Sequence, residues 1–233
     1  MADATALLLP EESYPEEVGE FVFYGPVAGC GMSSTNLADL ECWDSKSGTL
    51  NVIIETTKGS RSKIDYNPEQ RLFELSKILP RGMIFPFDFG FIPSTLGDDG
   101  DPLDVLVLMC DAVPAGCKIP ARLIGVIEAE QVEDGERERN DRLIAVGHHC
   151  HEHRDVHTIS DLGGRVLDEI EHFFVAYNEL EGKQFTPIAR RGPHHSEVLM
   201  LEPPSTLPIV LAKAFWREFS VAMPRVVASI WNW

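Results

Sequence analysis

A run of carboxylates, Asp98-Asp99-Gly100-Asp101-Pro102-Leu103-Asp104, leads directly into the apolar stretch Leu103 to Met109. Four carboxylates this close repel one another unless cations sit among them, and oxygen-only ligands select hard divalent ions such as Mg²⁺ or Mn²⁺. The stretch that follows is short and almost wholly apolar, so it reads as a strand buried on both faces. A loop feeding such a strand holds its carboxylates at fixed spacing. The same residues also allow a solvated acidic turn. They do not make an EF-hand, whose turn glycine would fall in Leu103-Asp104 and whose twelfth position is Cys110.

Further strands surround this one. Leu50 to Ile54, Ile119 to Ala129 and Leu143 to Val146 are apolar runs, and Lys63-Ile64-Asp65-Tyr66 alternates so that Lys63 and Asp65 share a face. Five such strands separated by Gly and Pro predict a small barrel or sandwich. Helices come late. Val166, Ile170, Phe173, Phe174, Tyr177 and Leu180 recur with helical period, with Ser160 or Asp161 as the cap and Gly182 at the end. A second helix is expected over about 208–222, stopped by Pro224.

Charge divides the chain. The formal net charge is −17, yet residues 1–45 hold nine acids and no Lys or Arg, which leaves −8 for the rest. This predicts an acidic N-terminal extension over 1–45 and one domain over 46–233. An acidic surface argues against nucleic acid or an anionic membrane as the partner. No window approaches 18 consecutive apolar residues and no basic residue precedes Leu7-Leu8-Leu9, so neither a membrane span nor a signal peptide is expected. The five cysteines contain no CxxC pair, which excludes a zinc ribbon and a thioredoxin motif and makes a disulfide framework unexpected. A cytoplasmic protein is the expectation.

Asp99-Gly100-Asp101-Pro102-Leu103-Asp104-Val105 resembles the signature of the family I soluble inorganic pyrophosphatases. The resemblance extends over about residues 49–185, through Ile53-Ile54-Glu55, Lys63-Ile64-Asp65, Phe85-Pro86-Phe87-Asp88-Phe89-Gly90-Phe91-Ile92, Leu143-Ile144-Ala145-Val146 and the helix from His172 to Leu180. It implies a mainly β, α+β fold: a five-stranded OB-like barrel flanked by two helices in the C-terminal half. It implies Mg²⁺-dependent hydrolysis of pyrophosphate, with Mn²⁺ as a second candidate, and a homo-oligomer, a hexamer in bacterial members. Carried over by position, Asp99 and Asp104 hold metal, with Asp134, Asn140 and Glu55 as further ligands. Asp101 orients or deprotonates the attacking water, while Lys63, Lys77, Arg142 and Tyr177 contact phosphate.

The sequence departs from the family pattern in the active-site set. An Asp has become Asn140, two tyrosines are Phe85 and Phe89, an Arg is Lys77, and the Lys after the helix tyrosine is Asn178, with Lys183 nearby. Asp141 and Glu138 are alternative carboxylates beside Asn140. These changes keep two other readings in view: a hydrolase for a different phosphoanhydride or phosphoester, and a non-catalytic metal- or phosphate-binding relative. The His-rich segment His148 to His157 invites a Zn²⁺ or Ni²⁺ reading against that of a plain polar loop, and it lacks HExxH spacing.

Overall fold

The structure is a computed structural model that describes residues 35–44, 46–97 and 100–195. Among the described residues the complete elements are ten strands and one α-helix: β1 (Trp43–Asp44), β2 (Thr49–Thr56), β3 (Ser62–Asn67), β4 (Leu72–Ile78), β5 (Asp88–Phe91), β6 (Asp104–Leu108), β7 (Lys118–Glu133), β8 (Glu136–Arg139), β9 (Arg142–Gly147), α1 (Gly164–Glu179) and β10 (Gln184–Arg191). The expected helix at 208–222 lies outside the described residues.

Five strands, β2, β5, β6, β9 and β7, pair in a ring. Long β7 makes this possible. Its first residues face β2, with Leu50 to Ile53 opposite Ala121 to Lys118, and its middle faces β9. The β2–β7 seam is only four residues long, so the barrel is partly closed. β6 and β9 run parallel and in close register, from Val105 opposite Leu143 to Leu108 opposite Val146. The barrel strand absent from the sequence expectation is β5, while Lys63 to Tyr66 belongs to a separate β3–β4 hairpin.

Gly90 explains why β5 is a strand at all. It sits opposite Ile54, and a Cβ there would lie 1.9 Å from the Ile53 carbonyl oxygen. Only glycine allows β5 this close to β2.

Two apolar clusters follow the two-residue period of the strands. Leu50, Val52, Ile54, Val105, Val107 and Ala145 form one, inside the ring. Leu106, Leu108, Ile144 and Val146 point the other way and pack with Leu167, Ile170 and Phe174 of α1. Both faces of β6 and β9 are thus buried, which is why those strands read as unbroken apolar runs.

Helix α1 begins later than expected, with Gly163 rather than Ser160 or Asp161 as its N-cap. The Asp161 carboxylate instead accepts the N–H groups of His157 (2.9 Å) and Thr158 (2.8 Å), closing a short 3-10 turn over Ile159–Asp161. Leu180, placed on the apolar face by periodicity, is 55% exposed because the helix has ended there.

Residues 36–44 lie along the body. Asn36 Oδ1 accepts from the Tyr66 hydroxyl (2.9 Å), that hydroxyl accepts from Leu37 N–H (3.1 Å), and Trp43–Asp44 pairs with Leu50 and Thr49.

Candidate active site

A cavity of about 430 Å³ opens at one end of the barrel. Its position follows from the parallel pairing of β6 and β9. Asp104 is the first residue of β6 and Arg142 the first of β9, so the register brings their side chains together. Arg142 Nη1 donates to Asp104 Oδ2 at 2.5 Å, and the guanidinium lies over the Phe174 ring at 5.0 Å. Arg142 Nε is buried and has no hydrogen-bond partner among the described residues. A buried donor left unmet is costly, and an anion entering the cavity would satisfy it. Asp101 and Pro102 complete this wall.

The β3–β4 hairpin supplies the opposite wall, and the end of β2 pins it in place. Thr56 Oγ1 donates to the Ile64 carbonyl (3.0 Å) and accepts from Ile64 N–H (2.9 Å), while Glu55 Oε1 accepts from Tyr66 N–H (2.7 Å). Lys63 and Asp65 share a face as the alternation requires, form an ion pair and line the cavity. Lys63 also lies over the Phe89 ring at 5.0 Å. Lys77 sits directly across the hairpin from Lys63. It is not among the cavity-lining residues, but it pairs with Glu181 and stands 4.9 Å over the ring of Tyr177, both of which are.

Glu55, Lys63, Asp101, Asp104, Asn140, Arg142 and Tyr177 therefore converge on one cavity. Asn140 Nδ2 donates to Gln131 Oε1 at 2.7 Å. Of the carboxylates beside it, Glu138 lines the cavity. Asp141 instead accepts from Ala129 N–H (3.0 Å) and from Arg139 Nε (2.6 Å), and lines a neighbouring concavity. Asp134 is not brought to the main cavity. It occupies the β7–β8 turn with φ 51° and borders a smaller concavity with Glu133 and Glu136. Asp99 lies outside the described residues. Phe85 and Phe89 are both buried cavity-wall residues, and Phe85 meets Tyr177 edge-on at 5.9 Å. Lys183 also faces the cavity, paired with Glu133 at 2.9 Å.

The sequence reading missed Gln131, Glu133, Arg139 and Glu181, all of them lining residues. They lie near the ends of β7, β8 and α1; the density of charge around Glu128 to Arg142 was the signal for the first three, and nothing local marked Glu181. Ala38 was missed for another reason: it belongs to the segment assigned to the acidic extension.

Seven acidic and four basic side chains line the cavity. Burial, opposed by Lys63 and by the Tyr66 N–H but reinforced by Asp104 and Asp65, pushes the Glu55 carboxyl up to about 8. Burial pulls Lys63 down, yet Asp65, Glu55 and Asp104 outweigh it and hold the ammonium above its ordinary range. Burial raises the Tyr177 hydroxyl and, with Lys63 nearby, lowers Lys77. Crowded carboxyls and an acidic excess suit a hard cation, and Glu55, Asp101, Asp104 and Asn140 offer only oxygen donors. Among the described residues no group of three or more His, Cys, Asp or Glu is already closed around an ion position, the His-rich segment included.

Residues 52–198 match the family model described as inorganic pyrophosphatase. The inorganic pyrophosphatase of Synechocystis sp. is 40% identical over 138 residues, covering 59% of this chain and 79% of the relative. Among solved structures, the inorganic pyrophosphatase from Thermus thermophilus superposes with a TM-score of 0.66 at 30% identity, covering 71% of this chain and 95% of that one. One from Neisseria gonorrhoeae gives 0.62 at 31% identity, covering 69% and 92%.

Proposed function

The chain belongs to the inorganic pyrophosphatase family, and from that premise we propose that it hydrolyses inorganic pyrophosphate to two phosphates in the cavity at the mouth of the barrel. The observation that carries the reading is the meeting of two opposite sets in one cavity: oxygen donors on Glu55, Asp101 and Asp104, and cations on Lys63 and Arg142. Either set alone is inadequate. Carboxylates by themselves repel a diphosphate, and cations by themselves leave the water unactivated.

Asp104, Glu55 and the amide oxygen of Asn140 are the proposed metal ligands, and Asp99 is proposed with them on the family resemblance of its sequence position alone; Asp134 stays outside the set because it borders another concavity. The ion we propose is Mg²⁺, with Mn²⁺ as a substitute. When bound, such a cation supplies positive charge against the diphosphate and acidifies nearby water. Asp101 accepts the proton of the attacking water. Lys63 and Arg142 hold phosphate oxygens, and the unmet Arg142 Nε provides one further donor. Tyr177 keeps its proton through the ordinary pH range and donates from the helix side. Lys77 sets the position of Tyr177 and Glu181 and reaches phosphate from the rim.

Phosphate release from pyrophosphate with Mg²⁺ or Mn²⁺ tests this. Asp101→Asn should lose about 10²-fold or more of the wild-type rate; a wild-type rate no faster than that of the variant would reject the proposal. A second reading, hydrolysis of a bulkier phosphoanhydride, draws on the apolar walls Phe85 and Phe89, and preference for pyrophosphate across a substrate panel would remove it.

The surrounding assignments are proposals of the same kind. We infer a homo-oligomer, a hexamer being what the family resemblance implies, for which Leu72, Leu75 and Ile78 offer exposed apolar surface on β4. We place it in the cytoplasm; among the described residues no helix is long and apolar enough to cross a membrane. The division at residue 45 is tested by truncation. Because Asn36 to Asp44 bonds to Tyr66 and β2, removal of residues 1–34 should be tolerated better than removal of 1–45.

A further inference from the structure

The far ends of β6 and β9, away from the cavity, hold a feature that pyrophosphate hydrolysis does not use. Cys110 follows β6 and Cys150 follows β9, and the parallel register that joins Asp104 to Arg142 at one end brings these two sulfurs to 3.1 Å at the other. Both are free thiols. Cys150 is 4% exposed and packs in the cluster beneath α1, whereas Cys110 is only partly buried. The backbone N–H groups of His151 and Glu152 converge on Cys110 Sγ at 3.1 and 3.4 Å. An aliphatic side chain would fill the same space, but it would have no use for two converging amide donors. Those donors suit a sulfur that carries negative charge.

We propose that Cys110 and Cys150 form a thiol-modification site: Cys110 attacks a low-molecular-weight disulfide, and Cys150 resolves the product into an intramolecular disulfide that staples the far ends of β6 and β9. The two sulfurs are differentiated in the sense the reaction needs. The amide of Glu152, the Cys150 thiol and the amide of His151 lower the Cys110 thiol, while burial raises that of Cys150. In the first step the Cys110 thiolate attacks one sulfur of RSSR, the S–S bond breaks, and RS⁻ leaves and takes up a proton. In the second, the Cys150 thiol gives its proton to solvent and its sulfur attacks Cys110 Sγ, expelling a second RS⁻, which is protonated in turn. Two protein thiols are oxidised by two electrons and one disulfide is reduced to two RSH. The sulfurs need approach by only ~1 Å to reach bonding distance. A metal reading of the same sulfurs and the neighbouring histidines has no support, since no metal-holding group is present among the described residues.

The test uses the full-length reduced protein, oxidised glutathione as probe, and peptide mapping without reductant. The expected result is a peptide pair joined through Cys110 and Cys150, reversed by dithiothreitol, with Tm raised by about 5–10 °C. Cys150→Ser should stop at a glutathione adduct on Cys110, and Cys110→Ser should slow the reaction at Cys150 by about tenfold or more. The Cys110→Ser/Cys150→Ser double variant should melt like the reduced wild type, which separates loss of the staple from loss of folding. Glutathione found only on exposed Cys117 or on Cys30, with no joined peptide, overturns the proposal. So does equal reactivity of Cys110 and Cys150 in the two single variants.

Discussion

β6 and β9 run side by side through the barrel with opposite chemistry at their two ends. At the cavity end the neighbours are Asp104 and Arg142, charged and in contact with residues that line a polar opening. At the far end they are Cys110 and Cys150, partly or wholly buried beside the apolar cluster under α1. Between them lie Val105 to Leu108 and Leu143 to Val146, buried on both faces. A stiff apolar segment thus separates a crowded set of carboxylates and cations from a pair of thiols. A single parallel register therefore positions two unrelated pairs. It also implies that each end can be altered with little effect on the other.

The largest effect expected from breaking this arrangement is at the cavity end. Arg142→Met should lower phosphate release by about 10²-fold or more, because the phosphate loses its buried partner while Asp104 loses its counter-charge. Steady-state assays and a urea melt on the same sample separate that loss from instability. The middle comes next. Gly90→Ala places a methyl group against the Ile53 carbonyl and should cost about 2–3 kcal/mol of stability, read as a lower urea midpoint. A change in activity without a change in midpoint would contradict the close approach of β5 to β2.

A pH experiment sharpens the contrast between the ends. The Glu55 carboxyl titrates near 8 in the folded protein against an ordinary 4.5. Below 4.5 both states hold the proton and there is no effect. Between 4.5 and 8 the unfolded chain releases it and the folded protein keeps it, so metal-free stability falls as pH rises; above 8 the slope vanishes. The contribution is at most about 1.4 kcal/mol per pH unit. Glu55→Gln keeps an oxygen acceptor for Tyr66 N–H and should flatten the slope between pH 5 and 8 in urea melts without divalent cations. Identical slopes for the two proteins would show that Glu55 is already ionised.

Asn140→Asp restores a charge beside the proposed metal position and should lower the Mg²⁺ concentration for half-maximal activity several-fold, about 1 kcal/mol of binding. The smallest effect belongs to the far end: under reducing conditions Cys110→Ser should change stability by less than about 1 kcal/mol and leave phosphate release unaltered. A large loss of activity would show that the two ends are coupled.

Much of this was legible in the residues, and the omissions have physical causes. β6, β7 and β9 declare themselves because strands buried on one or both faces write their burial into local sequence. The carboxylate loop does so too, since crowded like charges are unusual without a purpose. β5 does not. Phe85-Pro86 and Gly90 look like punctuation until Gly90 is seen against the backbone of Ile53. Ser160 and Asp161 looked equally able to cap α1, and the use of Asp161 in the preceding turn decided against both.

Patterns within a few residues settled β2, β3, β6, β7 and β9, the helix α1, the acidic loop and the family resemblance. The strand register, which joins residues 38 positions apart in Val105 and Leu143, decided the rest. It determined that Asp104 meets Arg142 and that Cys110 meets Cys150. It also left Asp134 in another concavity and turned Asp141 away while Asn140 faces the cavity. The physical reason is that burial preference belongs to each residue and its near neighbours, whereas partner choice depends on which strands pair, and in what register, once the whole barrel has formed.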